Sequence, residues 1–323
     1  MKRILGMGNA LVDIMIRLED DQILEQLELP KGSMQLVDVL RSQSVLDKLA
    51  KHPKSFSAGG SAANTIHGLA MLGVPTGYIG VIGEDELGGS FVKDMINAGV
   101  EPHLIHSSQE TGRAIALVTP DSERTFATFL GAAIELEADH LTTFNFKKYD
   151  YLHIEGYLVQ NHDLIRSAVT LAKENGLIVS LDLASYNVVE ANLDFLREMV
   201  AKYVDIVFAN EEEAKAFTGK EPREALDEMA GMAKIAVVKI GSKGSLIKSG
   251  NEVIEVGIIK ANPIDTTGAG DLYASGFLYG QSMGLSLKKC GEMGALLAGH
   301  VIEVIGSKIG AEKWMQITRN MAE

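Results

Sequence analysis

Residues 265–280 read DTTGAGDLYASGFLYG. Seven consecutive positions, 265 to 271, hold no side chain large enough to build a core, yet a well-patterned apolar segment follows at once. Gly268 and Gly270 permit backbone angles and close approaches that a Cβ would block. At the start of a helix such residues leave N–H groups unpaired along the positive end of the helix dipole. A loop of this kind is an anion cradle. Asp271 then stands where a carboxylate can take a proton from an attacking hydroxyl. Asp and Thr are also favoured helix caps, so on local features alone Asp271 and Thr267 serve equally well as caps.

Outward from this stretch, short β-branched runs alternate with helical patterns. Strands are expected at KRIL, TGYIGVIG, YDYLHIEG, LIVSLDL, VDIVFAN and IAVVKIG, and helices at NHDLIRSAVTLAKENG and NLDFLREMVAKY, the first ending at Gly176. This alternation predicts an α/β fold with a mostly parallel sheet covered on both faces. Two regions break the rhythm. Residues 32–39 (GSMQLVDV) and 112–130 (GRAIALVTPDSERTFATFL) read as strands without intervening helices, the second as a hairpin turning at TPDSER. They predict a small separate antiparallel sheet acting as a lid.

The chain has 323 residues, a length common for one α/β domain and also compatible with two. No run of 18 apolar residues is present, so a spanning helix is not expected. The opening MKRILGMGNALVDI is Gly-broken and carries Asp13, so it reads as a first strand and not as a signal peptide. A single cysteine, Cys290, excludes a disulfide within the chain and fits a reducing cytoplasm. A formal net charge of −13 argues against nucleic acid or an anionic membrane as partner. It leaves room for a small anion held by local dipoles. The P-loop pattern is absent, GMGNAL at 6–11 lacks the third glycine of a dinucleotide fingerprint, and HLIH at 103–106 lacks a third metal ligand.

A second unusual stretch is SAGGSAANTIHGLAMLG, residues 57–73. Gly59 and Gly60 precede a helix whose small residues, Ala62 and Ala63, could let backbone amides meet a ligand. Asn64 offers both a donor and an acceptor, as a sugar hydroxyl does. Taken locally, a tight turn, a Ser61 cap and a helix ending at Gly73 explain the same residues.

GGSAANTIHGLAMLG and DTTGAGDLYASGF resemble the two signatures of the ribokinase-like (pfkB) carbohydrate kinase family, in order and across essentially the whole chain. The resemblance implies a ribokinase-like fold, 1–323 as a single kinase domain, with lid segments near 14–38 and 100–132. It implies ATP-dependent phosphorylation of a hydroxyl on a nucleoside or sugar, with ATP and Mg²⁺ bound. Asp271 falls at the catalytic base, and Gly268, Ala269 and Gly270 at the anion hole. Asp13, Gly59, Gly60 and Asn64 fall on the substrate side. NEEE at 210–213 matches N-x-x-E, which implicates Asn210 and Glu213 in organising Mg²⁺ through water, although Asn and Glu three apart also make a helix capping box. KIGSKG at 239–244 resembles the turn that lies along the nucleotide, with Lys239, Gly241 and Gly244. An ordinary hairpin turn explains it as well. Thr266 joins the nucleotide side, and Asp265 and Thr267 the monovalent-cation site that many members carry, so K⁺ activation is expected.

KGSMQLVD at 31–38 and LVTPDSERTFATFLGAA at 117–133 are most similar to the adenosine-kinase branch. A base site needs apolar walls, for which Met34, Leu36, Phe126, Phe129 and Tyr157 are candidates, and core packing suits all five. A bare sugar such as ribose, fructose or a keto-deoxy acid is the alternative acceptor. The alternative class is a non-catalytic ligand-binding relative that retains the fold, which the retained Asp271, anion loop and N-x-x-E motif disfavour. Arg113 and Arg124 either meet phosphates on closure or are solvated lid residues. Ligands are expected at the carboxyl ends of the strands, under the lid. Both a monomer and a lid-mediated homodimer are compatible with the family pattern.

Overall fold

The computed structural model describes residues 1–121 and 123–322. Among these the strands run, in chain order, β1 (Ile4–Met7), β2 (Leu11–Arg17), β3 (Met34–Leu36), β4 (Lys54–Gly59), β5 (Thr76–Gly83), β6 (Val100–Ser107) and β7 (Gly112–Val118). They continue with β8 (Arg124–Phe129), β9 (Tyr151–Glu155), β10 (Ile178–Asp182), β11 (Ile206–Asn210), β12 (Ile235–Lys239), β13 (Ser245–Ser249) and β14 (Glu252–Val256). Nine of them form one sheet, ordered β14-β13-β12-β11-β10-β9-β1-β5-β6. Pairing is parallel from β6 through β12 and antiparallel for the terminal pairs β12–β13 and β13–β14.

The two faces of this sheet are read directly from strand alternation. On β11, Ile206 and Phe208 join one apolar core while Val207 and Ala209 join the other. Helices Ser61–Met71, Glu86–Asn97, Ala269–Ser282 and Leu287–Val301 bury their apolar stripes on the Phe208 side. Helices His162–Glu174, Leu193–Tyr203, Glu211–Thr218 and Pro222–Met232 cover the opposite side. Every residue of β5 is buried, as a strand flanked by neighbours and covered on both faces requires. Asn161 caps helix His162–Glu174 by accepting from the Leu164 N–H, and Gly176 follows in the left-handed conformation at φ 78°.

The remaining five strands form a small second sheet, ordered β3-β8-β7-β2-β4. The hairpin expected over 112–130 is present as β7 and β8. Ser122, inside the expected TPDSER turn, lies outside the described residues. Three expectations are corrected. The sheet is mixed, because β2 pairs in parallel with β7 and β3 with β8. Its segments depart from 14–38 and 100–132: residues 100–107 are β6, the edge of the large sheet, and β4 joins the small one. In the 32–39 stretch only Met34–Leu36 is strand, and Asp38 caps a helix beginning at Val39. A short apolar run does not reveal which sheet edge will receive it, since that is decided by where the chain returns.

Candidate active site

Four adjacent parallel strands end in a polar residue: Glu155 on β9, Asp182 on β10, Asn210 on β11 and Lys239 on β12. Register sets Glu155 beside Asp182 and Asn210 beside Lys239. All four line one cleft of about 1910 Å³ at the carboxyl ends of the strands. The wall opposite comes from the small sheet, with Leu11, Met34, Leu36 and Phe126. Glu155 and Asp182 were not singled out in the sequence. Their signal was available as a carboxylate closing a mostly apolar strand.

Helix Ala269–Ser282 starts at Gly268, whose φ of 72° is left-handed, and it has no side-chain cap. Asp271 therefore does not cap. Its Oδ1 accepts from Ser61 Oγ at 2.7 Å and its Oδ2 from Asn64 Nδ2 at 3.0 Å. Burial pushes the Asp271 carboxyl up to about 6, with the Ser61 and Asn64 hydrogen bonds opposing and the Asp182 charge assisting. Ala269, Gly270 and Asp271 line the cleft, whereas Gly268 packs against Ser307, where a Cβ would come within 2.8 Å of the Ser307 Cβ. A Cβ on Gly270 would lie 3.1 Å from Lys239 Nζ, so the cation sits directly across from the bare backbone.

Helix Ser61–Met71 likewise begins at a glycine, Gly60, with φ 97° and no side-chain cap. A Cβ there would collide with the Asn9 carbonyl. Ser61 does not cap this helix, because its hydroxyl is turned to Asp271. The Ala62 N–H is taken instead by Glu155 Oε2 at 2.9 Å, and Glu155 Oε1 accepts from the backbone and side chain of Asn9. Burial pushes Glu155 up to about 7, against those hydrogen bonds. Gly59 lies beneath the Asp13 carboxylate, where any side chain would collide with it. Asp13 lines the cleft, and burial raises its carboxyl while Lys308 opposes. Asn64 lines the cleft too, but its Oδ1 already accepts from Ser307 Oγ at 2.8 Å and Lys308 Nζ at 3.2 Å.

On the other side of the cleft, Asn210 and Glu213 form a complete capping box. Asn210 Oδ1 accepts from the Glu213 N–H at 2.8 Å, and Glu213 Oε2 from the Asn210 N–H at 2.7 Å. Both residues also line the cleft, so capping does not remove them from it. Burial, then the Asp182 charge, raises the Glu213 carboxyl. Lys239 Nζ lies 2.9 Å from Asp182 Oδ2. Burial alone would lower this amine, but Asp182 and Glu213 outweigh it and hold the charge. The KIGSKG stretch is a hairpin connection between β12 and β13. Gly244 has φ 97°, and a Cβ there would strike the Val256 carbonyl, while Gly241 and Gly244 both line the cleft.

Thr266 and Thr267 line the cleft, but Asp265 lies in a smaller neighbouring pocket with Arg124. Asp265 Oδ1 is 2.6 Å from Arg124 Nη2 and accepts from the Thr267 N–H at 2.7 Å. Its Oδ2 accepts from the Gly306 N–H at 2.7 Å. Arg124 thus ties the small sheet to the start of the anion loop. Arg113 is neither solvated nor in the cleft: it is 3 % exposed, donates to Ser42 Oγ and Glu110 Oε2, and lies over Phe129. Tyr157 is on the cleft, while Phe129 points to the other face of β8 from Phe126.

A family model, pfkB family carbohydrate kinase, matches residues 39–314. The solved structure of a probable sugar kinase protein from Rhizobium etli CFN 42 is 33% identical, with TM-score 0.90 over 99% of this chain and 98% of that one. The adenosine kinase from Sinorhizobium meliloti is 34% identical, with TM-score 0.89 over 99% of both chains. An adenosine kinase from Schizophyllum commune is 27% identical over 341 residues, covering 96% of this chain and 97% of that protein.

Proposed function

We propose, from the premise that this chain belongs to the pfkB family of carbohydrate kinases, that it transfers the γ-phosphoryl group of ATP to the 5′ hydroxyl of adenosine. The observation that carries the chemistry is Asp271, a half-buried carboxylate aimed by Ser61 and Asn64 beside an uncapped helix start. Asp271 would take the acceptor hydroxyl's proton as that oxygen bonds to the γ-phosphorus and the bond to the β–γ bridging oxygen breaks, releasing ADP. The Gly270 N–H would stabilise the transferring phosphoryl oxygens, with Lys239 adding positive charge, while the Ala269 N–H is held by the Thr266 carbonyl at 3.2 Å. Mg²⁺ takes much of its coordination from phosphate and water. It fits near Asp182 and Glu213, whose crowded like charges a cation relieves, and when bound it neutralises the phosphates. The small sheet would close the cleft as a lid and exclude water.

Adenosine as acceptor is supported by the full-length likeness to adenosine kinases and by exposed apolar side chains, Met34 and Leu36, on the cleft wall. A free sugar is the second reading, favoured by the equally extensive likeness to a probable sugar kinase. Asp13 and Asn64 would meet vicinal ring hydroxyls, Asp13 as the principal acceptor because Asn64 is already engaged. Loss of one hydroxyl leaves a half-buried charged acceptor unpaired and costs about 1–3 kcal/mol. In a panel of adenosine, 2′-deoxyadenosine, ribose and fructose, kcat/KM is therefore expected to be highest for adenosine and lower by roughly 10-fold or more for its deoxy analogue. A sugar preferred over both nucleosides would overturn the acceptor assignment and leave the kinase chemistry in place.

The carboxylate expected to help hold K⁺ has its charge balanced by Arg124 and both oxygens engaged. Asp265 as placed does not fit a monovalent-cation ligand. Turnover is expected to be the same in K⁺ as in a bulky organic cation, and a K⁺-dependent rise in kcat would overturn this.

A further inference from the structure

Three consecutive residues, Gly306 to Lys308, follow helix Leu287–Val301 and run beside the anion loop. The Gly306 N–H donates to Asp265, Ser307 packs on Gly268, and the Ser307 hydroxyl and Lys308 ammonium converge on one atom, Asn64 Oδ1. Asn64 is 5 % exposed, and its amide nitrogen donates to Asp271 Oδ2 at 3.0 Å. The amide thus has two opposite surroundings: donors on its oxygen side and a carboxylate on its nitrogen side. Turned over, it would set its NH₂ against an ammonium and its oxygen against a carboxylate, two repulsions in a buried site.

We propose that Lys308 is a positioning residue for phosphoryl transfer: with Ser307 it locks the Asn64 amide so that its N–H aims the Asp271 carboxylate. This rests on Asp271 being the base. Lys308 stands behind Asn64 and not on the cleft wall, so it acts through Asn64 and not on substrate. The charged groups that face it are Asp13, Asp94 and Asp271, each on a different element. Burial lowers this amine to about 8 against the pull of the three carboxylates, which leaves it an ammonium at neutral pH. Polarising the amide from its oxygen end also strengthens the N–H donated to Asp271.

The test uses the full chain, ATP–Mg²⁺, and the best acceptor among adenosine, 2′-deoxyadenosine, ribose and fructose. Lys308→Met keeps the aliphatic stem and removes the donor. It is expected to lower kcat by roughly 10-fold, the scale of one hydrogen bond to a charged group, with KM for ATP unchanged and any rise in acceptor KM, from Asp13 losing its counter-charge, smaller than the fall in kcat. Lys308→Arg, which can still donate to Asn64 Oδ1, is expected to recover most of the loss. If Lys308→Met does not fold, Ser307→Ala removes the partner donor and is read the same way, with a fall in kcat at constant KM. An unchanged kcat, a loss expressed only in acceptor KM, or no recovery by Arg overturns the proposal. Asp271→Asn in the same assay separates the two claims. If it keeps near-normal turnover, the base assignment itself fails. If it is inactive while Lys308→Met turns over normally, only the positioning role fails.

Discussion

Asp271→Asn is expected to lower kcat by roughly 10²-fold or more, the usual scale for removing a general base, with little change in acceptor binding. The carboxylate is the only part of the side chain that can receive the proton, and an amide cannot. Asp271 accepts two hydrogen bonds, from Ser61 and Asn64, so an amide would also set an NH₂ against one of these donors. The same group gives a pH dependence. Only the ionised carboxylate can act, and burial raises it from its ordinary 3.8 to about 6. The kcat/KM for acceptor, which reports ionisations of the free protein, is therefore expected to be full above that value and to fall as pH drops through it. Steady-state kinetics of the variant, with a kcat/KM profile of the unaltered protein, check both points. Near-normal turnover in Asp271→Asn would show that another group takes the proton.

Gly270→Val is expected to lower kcat/KM for ATP by roughly 10²-fold, the cost of a displacement of about 1 Å at a reacting centre. A Cβ there comes 3.1 Å from Lys239 Nζ, and the two further methyls of Val must enter the cleft or push the ammonium from Asp182. Gly270 is half-buried within the first turn of its helix and its φ is not left-handed, so the backbone accepts a side chain. The melting temperature is expected to stay within about 4 °C of the parent. A folded variant with unaltered kinetics would remove the backbone at Gly270 from the phosphoryl site.

Much of this site was legible because its signals are local. A glycine-rich helix start, as at Gly268 and Gly60, can be read from a dozen residues, whereas the absence of a capping side chain cannot, since Thr267, Asp271 and Ser61 all suit a cap. The capping box at Asn210 and Glu213 can be read locally too, since partners three apart on a helix must meet. What stayed hidden was pairing between distant segments. Glu155 reaches residues 146 and 93 positions away, and Lys308 reaches Asn64 from 244 positions along the chain. Arg113 and Arg124 lie on one hairpin and looked interchangeable. Strand register put one over the Phe129 ring beside Ser42 and the other on Asp265.

By itself the sequence determined the alternation of strand and helix, the burial of both sheet faces, and the glycine-rich helix start at DTTGAGD. Each follows from periodicity and backbone freedom within a few turns of chain. Only the tertiary structure decided that β6 closes the large sheet and β4 the small one, and that Asp182 and Glu155 stand beside Lys239 and Asn9. It also turned Asn64 toward Asp271. Those outcomes depend on which strands become neighbours and in what register, and a pairing energy shared between segments tens to hundreds of residues apart leaves no mark in either segment alone.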